Sequence, residues 1–219
     1  APARVRRGRK SGGAVDGGSL ICPSAEADAH MRMCKQDGSE GMRCGNGIRC
    51  VAKYLFDNGI AKGQKVGEGR HVLHIDTKSG VKECTVITKN GLVSKVTVDM
   101  GKAELAPEKV PVRLEGEKVV NKPISIGGNV YRITCCSMGN PHCTVFVPSV
   151  DKLDLEDLGP KFEHDPMFPD RVNVEFVEVI DQHTLKARIW ERGSGETMAC
   201  GTGTCAAVVA ATRNGYCGK

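Results

Sequence analysis

The chain has 219 residues, enough for one large domain or two small ones with real cores, and its 40% apolar and 26% charged residues are those of an ordinary globular protein. No apolar run approaches the roughly 18–20 residues that a membrane-crossing helix needs, and nothing at the N-terminus reads as a secretory signal. The net charge of +5 is supplied by Arg4, Arg6, Arg7, Arg9 and Lys10 in a glycine-rich segment, and aromatics are only 4%. Base-stacking platforms are therefore scarce, and the segment is expected to be a solvated basic tail, with no nucleic-acid partner and no membrane partner.

In chain order, short runs with period-two alternation predict strands at Met31–Cys34, His71–Ile75, Glu83–Ile87 and Val93–Met100. Further strands are expected at Val130–Cys135, Cys143–Val147, Val172–Ile180 and Thr184–Trp190, punctuated by turns such as Lys89-Asn90-Gly91 and Asn140-Pro141. Three helices are expected, at about Asn46–Asp57, Leu153–Phe162 and Thr202–Arg213. Eleven cysteines occur without a single Cys-x-x-Cys pair, which argues against structural zinc. Without a secretory signal a disulfide framework is not expected either, so most of the cysteines read as small apolar residues in a reducing compartment.

The most informative feature is an internal repeat. When Cys44 is laid on Cys200, Glu40 meets Glu196, Met42 meets Met198, Gly45 meets Gly201 and Gly47 meets Gly203, and Asn58-Gly59 falls on Asn214-Gly215 without a gap. Each copy is a polar glycine-containing loop, a Cys-Gly-x-Gly, an apolar helical stretch and an Asn-Gly helix stop. Two similar halves are expected, 1–102 and 103–219. A cysteine at a helix N-terminus sits among unpaired N–H groups that favour negative charge, so a lowered thiol pKa is expected there. The glycines leave the backbone bare for a small anion. One such loop alone reads equally as an anion site or a helix cap. Two facing copies would set a base and an acid on opposite sides of a Cα, while their N–H groups hold the adjoining carboxylate. That pattern points to a racemase or epimerase. No nucleotide-phosphate loop accompanies it.

Ser39-Glu40-Gly41-Met42-Arg43-Cys44-Gly45-Asn46-Gly47 and Glu191-Arg192-Gly193-Ser194-Gly195-Glu196-Thr197-Met198-Ala199-Cys200-Gly201-Thr202-Gly203 resemble the two active-site segments of the diaminopimelate epimerases. Met138-Gly139-Asn140-Pro141-His142-Cys143 and Arg171-Val172-Asn173-Val174-Glu175-Phe176 resemble that family's substrate-binding segments, in the same order. The resemblance implies an α/β (α+β) fold of two pseudo-symmetric halves, each a curled, mostly antiparallel sheet around a central helix. It implies interconversion of LL- and meso-diaminopimelate on the route to lysine, without pyridoxal phosphate or any other cofactor. Cys44 and Cys200 would be the acid–base pair, with His142 and Glu191 beside the thiols and the reacting amine. Backbone N–H groups of Gly45, Asn46, Gly201 and Thr202 would hold the reacting carboxylate, and Asn140, Asn173 and Arg192 the distal end. A homodimer is implied, in a bacterial cytoplasm or, in a photosynthetic eukaryote, the plastid stroma.

The chain departs from the family pattern in places. Lys35 stands where an asparagine contacts the distal end of the substrate, and Gly12-Gly13-Ala14-Val15-Asp16-Gly17 replaces a more regular glycine loop. A first strand and C-terminal strands are expected to be missing, so the alternative is a truncated, catalytically impaired member that only binds.

Overall fold

The computed structural model describes residues 3–6, 17–35, 40–41 and 45–218. They divide into two compact units, Ala1–Met100 and Gly101–Lys219.

In the first unit the elements are β1 (Ala3–Arg6), β2 (Gly17–Cys22), β3 (Ala29–Lys35), β4 (Glu40–Gly41), α1 (Gly45–Asp57), β5 (Gln64–Gly67), β6 (Arg70–Thr77), β7 (Lys82–Lys89) and β8 (Leu92–Val98). They form one sheet in the order β1-β2-β3-β6-β7-β8, with β4 on β3 and β5 on β6; only β3 and β6 run parallel. Val51, Ala52 and Leu55 of α1 bury fully with Leu73, Ile75, Cys84 and Val86 of the sheet. The helix end is tied to β8: Asp57 accepts from Val93 N (2.8 Å), and Lys53 bonds both Asp57 (2.6 Å) and Val93 O (2.6 Å). The solvated-tail reading is corrected at Ala3–Arg6, which pairs antiparallel with Ser19–Ile21 and Gly18 of β2. Ala-Arg-Val-Arg alternates as a strand does, a pattern that the basic count obscured. Arg7, Arg9 and Lys10 lie outside the described residues.

The second unit contains β9 (Lys122–Ile126), β10 (Asn129–Ser137), β11 (Pro141–Phe146), α2 (Leu155–Glu163), β12 (Asn173–Asp181), β13 (Thr184–Glu191), β14 (Gly195–Thr197) and α3 (Gly201–Arg213). Its sheet runs β14-β13-β12-β11-β10-β9, antiparallel except at β11–β12. Alternation along each strand gives the sheet two different faces. Ile133, Cys135, Cys143, Val145, Val174, Phe176 and Trp190 enter an apolar core with Leu155 and Phe162 of α2. The other face carries Cys136, His142, Thr144, Asn173 and Glu175, all buried, beneath α3. That helix can come close because its buried side is made of small residues, Gly203, Ala206, Ala207, Ala210 and Ala211.

The expected fold class holds: two sheet-rich halves, mostly antiparallel, with few helices. The repeat extends to individual bonds. Cys34 pairs with Glu40 and Met33 with Gly41, as Trp190 pairs with Glu196 and Ile189 with Thr197, so the loop before each Cys-Gly-x-Gly starts as a hairpin. At the helix stops, Asn58 N and Nδ2 both bond Tyr54 O, Gly59 N bonds Phe56 O and Ile60 N bonds Leu55 O. Asn214, Gly215 and Tyr216 repeat each of those bonds on Ala210, Thr212 and Ala211.

One close packing contact positions the site. A Cβ on Gly159 of α2 would lie 2.2 Å from the Trp190 ring, and that ring is held by its own Nε1–H bond to Glu163 (2.7 Å). Gly159→Ala is therefore expected to destabilise the second unit by about 1–3 kcal/mol through overpacking. The measurement is a lower denaturant midpoint followed by fluorescence of Trp190, the chain's single tryptophan.

Candidate active site

Cys200 caps α3. Its backbone is extended (φ −124°, ψ 113°), and its sulfur accepts from Gly203 N at 3.3 Å, so the side chain satisfies one of the free N–H groups of the first turn. Thr202 Oγ1 lies 3.5 Å from the same sulfur. The expected lowering of the thiol pKa is corrected here: burial pushes Cys200 up from 9.0 to about 11. The Glu191 carboxylate adds to the rise, Thr202 and Gly203 N–H pull it back, and Glu175 adds a smaller upward push. A rise of that size disfavours the anion by roughly 3 kcal/mol. A helix N-terminus returns only about 0.3–1 kcal/mol, so burial and like charge win. Burial and the Glu191 charge thus favour the neutral thiol of Cys200 at pH 7.

The polar face of the sheet supplies the groups around it. His142 sits opposite Asn173 across the parallel β11–β12 pair. Its Nδ1 meets Glu175 Oε1 at 2.6 Å with both side chains fully buried, and its Nε2 meets Asn140 Oδ1 at 3.1 Å. Asn140 Nδ2 donates to Thr202 Oγ1 at 3.3 Å. Asn173 is satisfied on both ends: its Nδ2 donates to Pro141 O (2.8 Å) and its Oδ1 accepts from Arg192 N (3.0 Å). Glu191 accepts from Thr197 Oγ1 across the hairpin at 2.6 Å. The Arg192 guanidinium donates to Asp170 O at 2.6 Å.

The second unit thus brings together Asn140, His142, Asn173, Glu191, Arg192, Cys200 and Thr202, with Gly201 as the first residue of α3. Two contributors were not singled out from sequence. Glu175 stands two residues after Asn173 on the same face, and that period-two spacing was its only signal. Glu163 ends α2 and accepts from Trp190 Nε1 and from Gly193 N (2.9 Å), which fixes the turn carrying Glu191 and Arg192. In the first unit Gly45 opens α1, and the Asn46 side chain accepts from Arg49. Lys35 ends β3 opposite Gly17. Cys44, residues 12–16 and the Lys35 side chain lie outside what is described. Among the described residues, no three His, Cys, Asp or Glu side chains cluster as a metal site requires.

These features define a class first: a two-unit α+β chain with a capped cysteine at a helix start over a buried polar sheet face. Solved structures share the fold. A probable proline racemase from Agrobacterium radiobacter K84 matches with TM-score 0.69 at 16% identity, over 92% of this chain and 62% of that one. A predicted epimerase from Pseudomonas aeruginosa matches with TM-score 0.58 at 14% identity, over 92% of this chain and 68% of that one. The chain thus spans about three fifths of the first of these structures. The family model described as diaminopimelate epimerase matches residues 2–106 and 134–219. A diaminopimelate epimerase of Desulfovibrio desulfuricans is 46% identical over 99% of this chain and 75% of that protein. One from Acetivibrio thermocellus is 49% identical over 91% of this chain and 69% of that protein. The chain belongs to the diaminopimelate epimerase family.

A neutral, buried Cys200 should react slowly. At pH 8, peptide-resolved alkylation with iodoacetamide is expected to label the exposed Cys50 well before Cys200, whose climb in rate with pH should level off only above about 11. Glu191→Gln removes a negative neighbour and should move that climb to lower pH. An unmoved or upward-shifted climb would contradict the assigned cause.

Proposed function

We propose that this chain interconverts LL- and meso-2,6-diaminopimelate by carrying the α-proton between the thiols of Cys44 and Cys200, without a cofactor. The observation that carries the reading is the Cys200 sulfur, withdrawn from solvent at a helix start and bonded by Gly203 N–H, in a chain 46% identical to a diaminopimelate epimerase. In this mechanism one cysteine, as thiolate, takes the α-proton from one face of the carbon. The other, as thiol, delivers a proton to the opposite face. The negative charge that develops spreads onto the α-carboxylate, held by the N–H groups of Gly45 and Asn46 and of Gly201 and Thr202. Glu191 and His142 serve the reacting amine, and Asn140, Asn173, Arg192 and Lys35 the distal end. Bacterial relatives of this family support a cytoplasmic setting, and the proposal includes a homodimer acting on the free amino acid.

The test is α-proton exchange of diaminopimelate in deuterated water, read together with interconversion of the isomers. Cys200→Ala and Cys44→Ala are each expected to lose about 10²–10⁴-fold or more, while Cys50→Ala keeps the parental rate. A parental chain that binds diaminopimelate without exchange would be a binding protein, and the proposal would fall.

A further inference from the structure

The sheet face beneath α3 holds a chain of hydrogen bonds that runs from Glu175 to the Cys200 sulfur. Asn140 Nδ2 is a donor only, so at 3.3 Å it gives its hydrogen to Thr202 Oγ1. The Thr202 hydroxyl keeps its own hydrogen, which it can offer to the Cys200 sulfur 3.5 Å away once that sulfur is a thiolate with no hydrogen of its own. Asn140 Oδ1 is an acceptor only, so His142 Nε2 at 3.1 Å must carry a hydrogen. The other ring nitrogen faces Glu175 Oε1 at 2.6 Å, a separation that requires a second hydrogen between them. The His142–Glu175 pair therefore holds two protons. If one leaves, the remaining proton sits on Nδ1 against a carboxylate, and Nε2 becomes an acceptor. The Asn140 amide must then turn to donate to it, the Thr202 hydroxyl follows the amide oxygen, and the sulfur loses a donor.

We propose that Glu175 is a positioning residue for Cys200: the proton it shares with His142 sets whether the Thr202 hydroxyl faces the sulfur. The carboxyl is fully buried, and its Oε2 has no hydrogen-bond partner among the described residues, a costly place for an ionised group. Burial raises the pKa of Glu175, the His142 charge lowers it, and Glu191 raises it again. Cys136 of β10, Cys143 of β11, Glu191 of β13 and Cys200 of α3 are the ionisable groups that couple to this carboxyl, besides His142. The second glycine of Cys-Gly-x-Gly belongs to the same arrangement. A Cβ on Gly203 would lie 2.8 Å from Glu175 Oε1, so the glycine makes room for the carboxyl. A sulfur that must act as base in one direction and acid in the other needs a donor that can be offered and withdrawn. The purpose of the relay thus rests on the acid–base role proposed for Cys200, but its readouts need no turnover and fail separately from that role.

The experiment uses the full chain. Imidazole ¹⁵N spectra at neutral pH should show His142 protonated at Nε2; a bare Nε2 overturns the proposal. Peptide-resolved alkylation of Cys200 by iodoacetamide should slow about 5- to 20-fold in Thr202→Val, which removes one hydrogen bond to the thiolate, and stay near parental in Thr202→Ser. In the parent the alkylation profile should carry an inflection at the pH where the proton shared by Glu175 and His142 is lost. Glu175→Leu offers Nδ1 no acceptor and so keeps Nε2–H at every pH; its profile should lack the inflection. Thr202→Val should lack it too, which keeps the test open if the leucine variant does not fold. An inflection that survives in Thr202→Val acts through space and overturns the relay, as does a parent profile without inflection where the shared proton is lost.

Discussion

Glu175 and His142 meet at 2.6 Å with neither side chain open to solvent, and much of the second unit is arranged to make that contact tolerable. Removing two ionisable groups from water costs several kcal/mol each unless their hydrogen bonds are replaced. The replacements come from one face of one sheet: His142 of β11 and Glu175 of β12 bond each other, and the Asn140 amide oxygen meets the outer His142 nitrogen, while Glu175 Oε2 has no partner among the described residues. The opposite face of the same strands is apolar and is closed by α2. A fully apolar strand could not have done both, and neither could a strand facing water on one side. Only a sheet covered on both faces can hold a polar cluster dry.

The cover on the polar side has to be thin and has to end in free N–H groups. Helix α3 meets both needs. Its alanines let the backbone approach, its glycine at 203 leaves space for Glu175, and its first turn donates the Gly203 N–H to the Cys200 sulfur. The hairpin β13–β14 then delivers the cysteine at a fixed register, with Glu191 bound to Thr197 across it. Glu163 anchors that hairpin from the far side through Trp190 and Gly193, so the apolar core reaches the site through two hydrogen bonds.

What could be read from the sequence was whatever depends on neighbours along the chain. The Asn-Gly stops, the Cys-Gly-x-Gly starts and the strand alternation are local patterns, and the repeat holds down to individual carbonyl partners at Ala210 and Tyr54. The thiol of Cys200 failed that reading because its pKa is set by burial and by Glu191 more than by its own helix. Glu175 was missed because, in Val-Asn-Val-Glu-Phe-Val, alternation says that Asn173 and Glu175 share a face but not that a helix covers it. At Ala3–Arg6 the strand alternation is only four residues long and lies inside a run of basic charge, so composition hides it.

The repeat is not electrostatically symmetric, and the proposed chemistry depends on that. In the alignment that lays Cys44 on Cys200, Lys35 falls on Glu191. A carboxylate beside one thiol favours its neutral form, as it does at Cys200. Lys35, at the matching place in the sequence, carries the opposite sign. Two thiols given the same surroundings would both rest neutral or both rest ionised, and neither state has a base and an acid ready together. In the proposed mechanism, unlike surroundings would leave one proton between two sulfurs, the inventory that a single inversion would consume and restore. Reversal needs the assignment to change hands, so the bias at Cys200 cannot be permanent. In the proposed mechanism an arriving ammonium group would offset the Glu191 charge, and the Thr202 hydroxyl would offer the sulfur a donor, both acting against the burial that favours the neutral thiol.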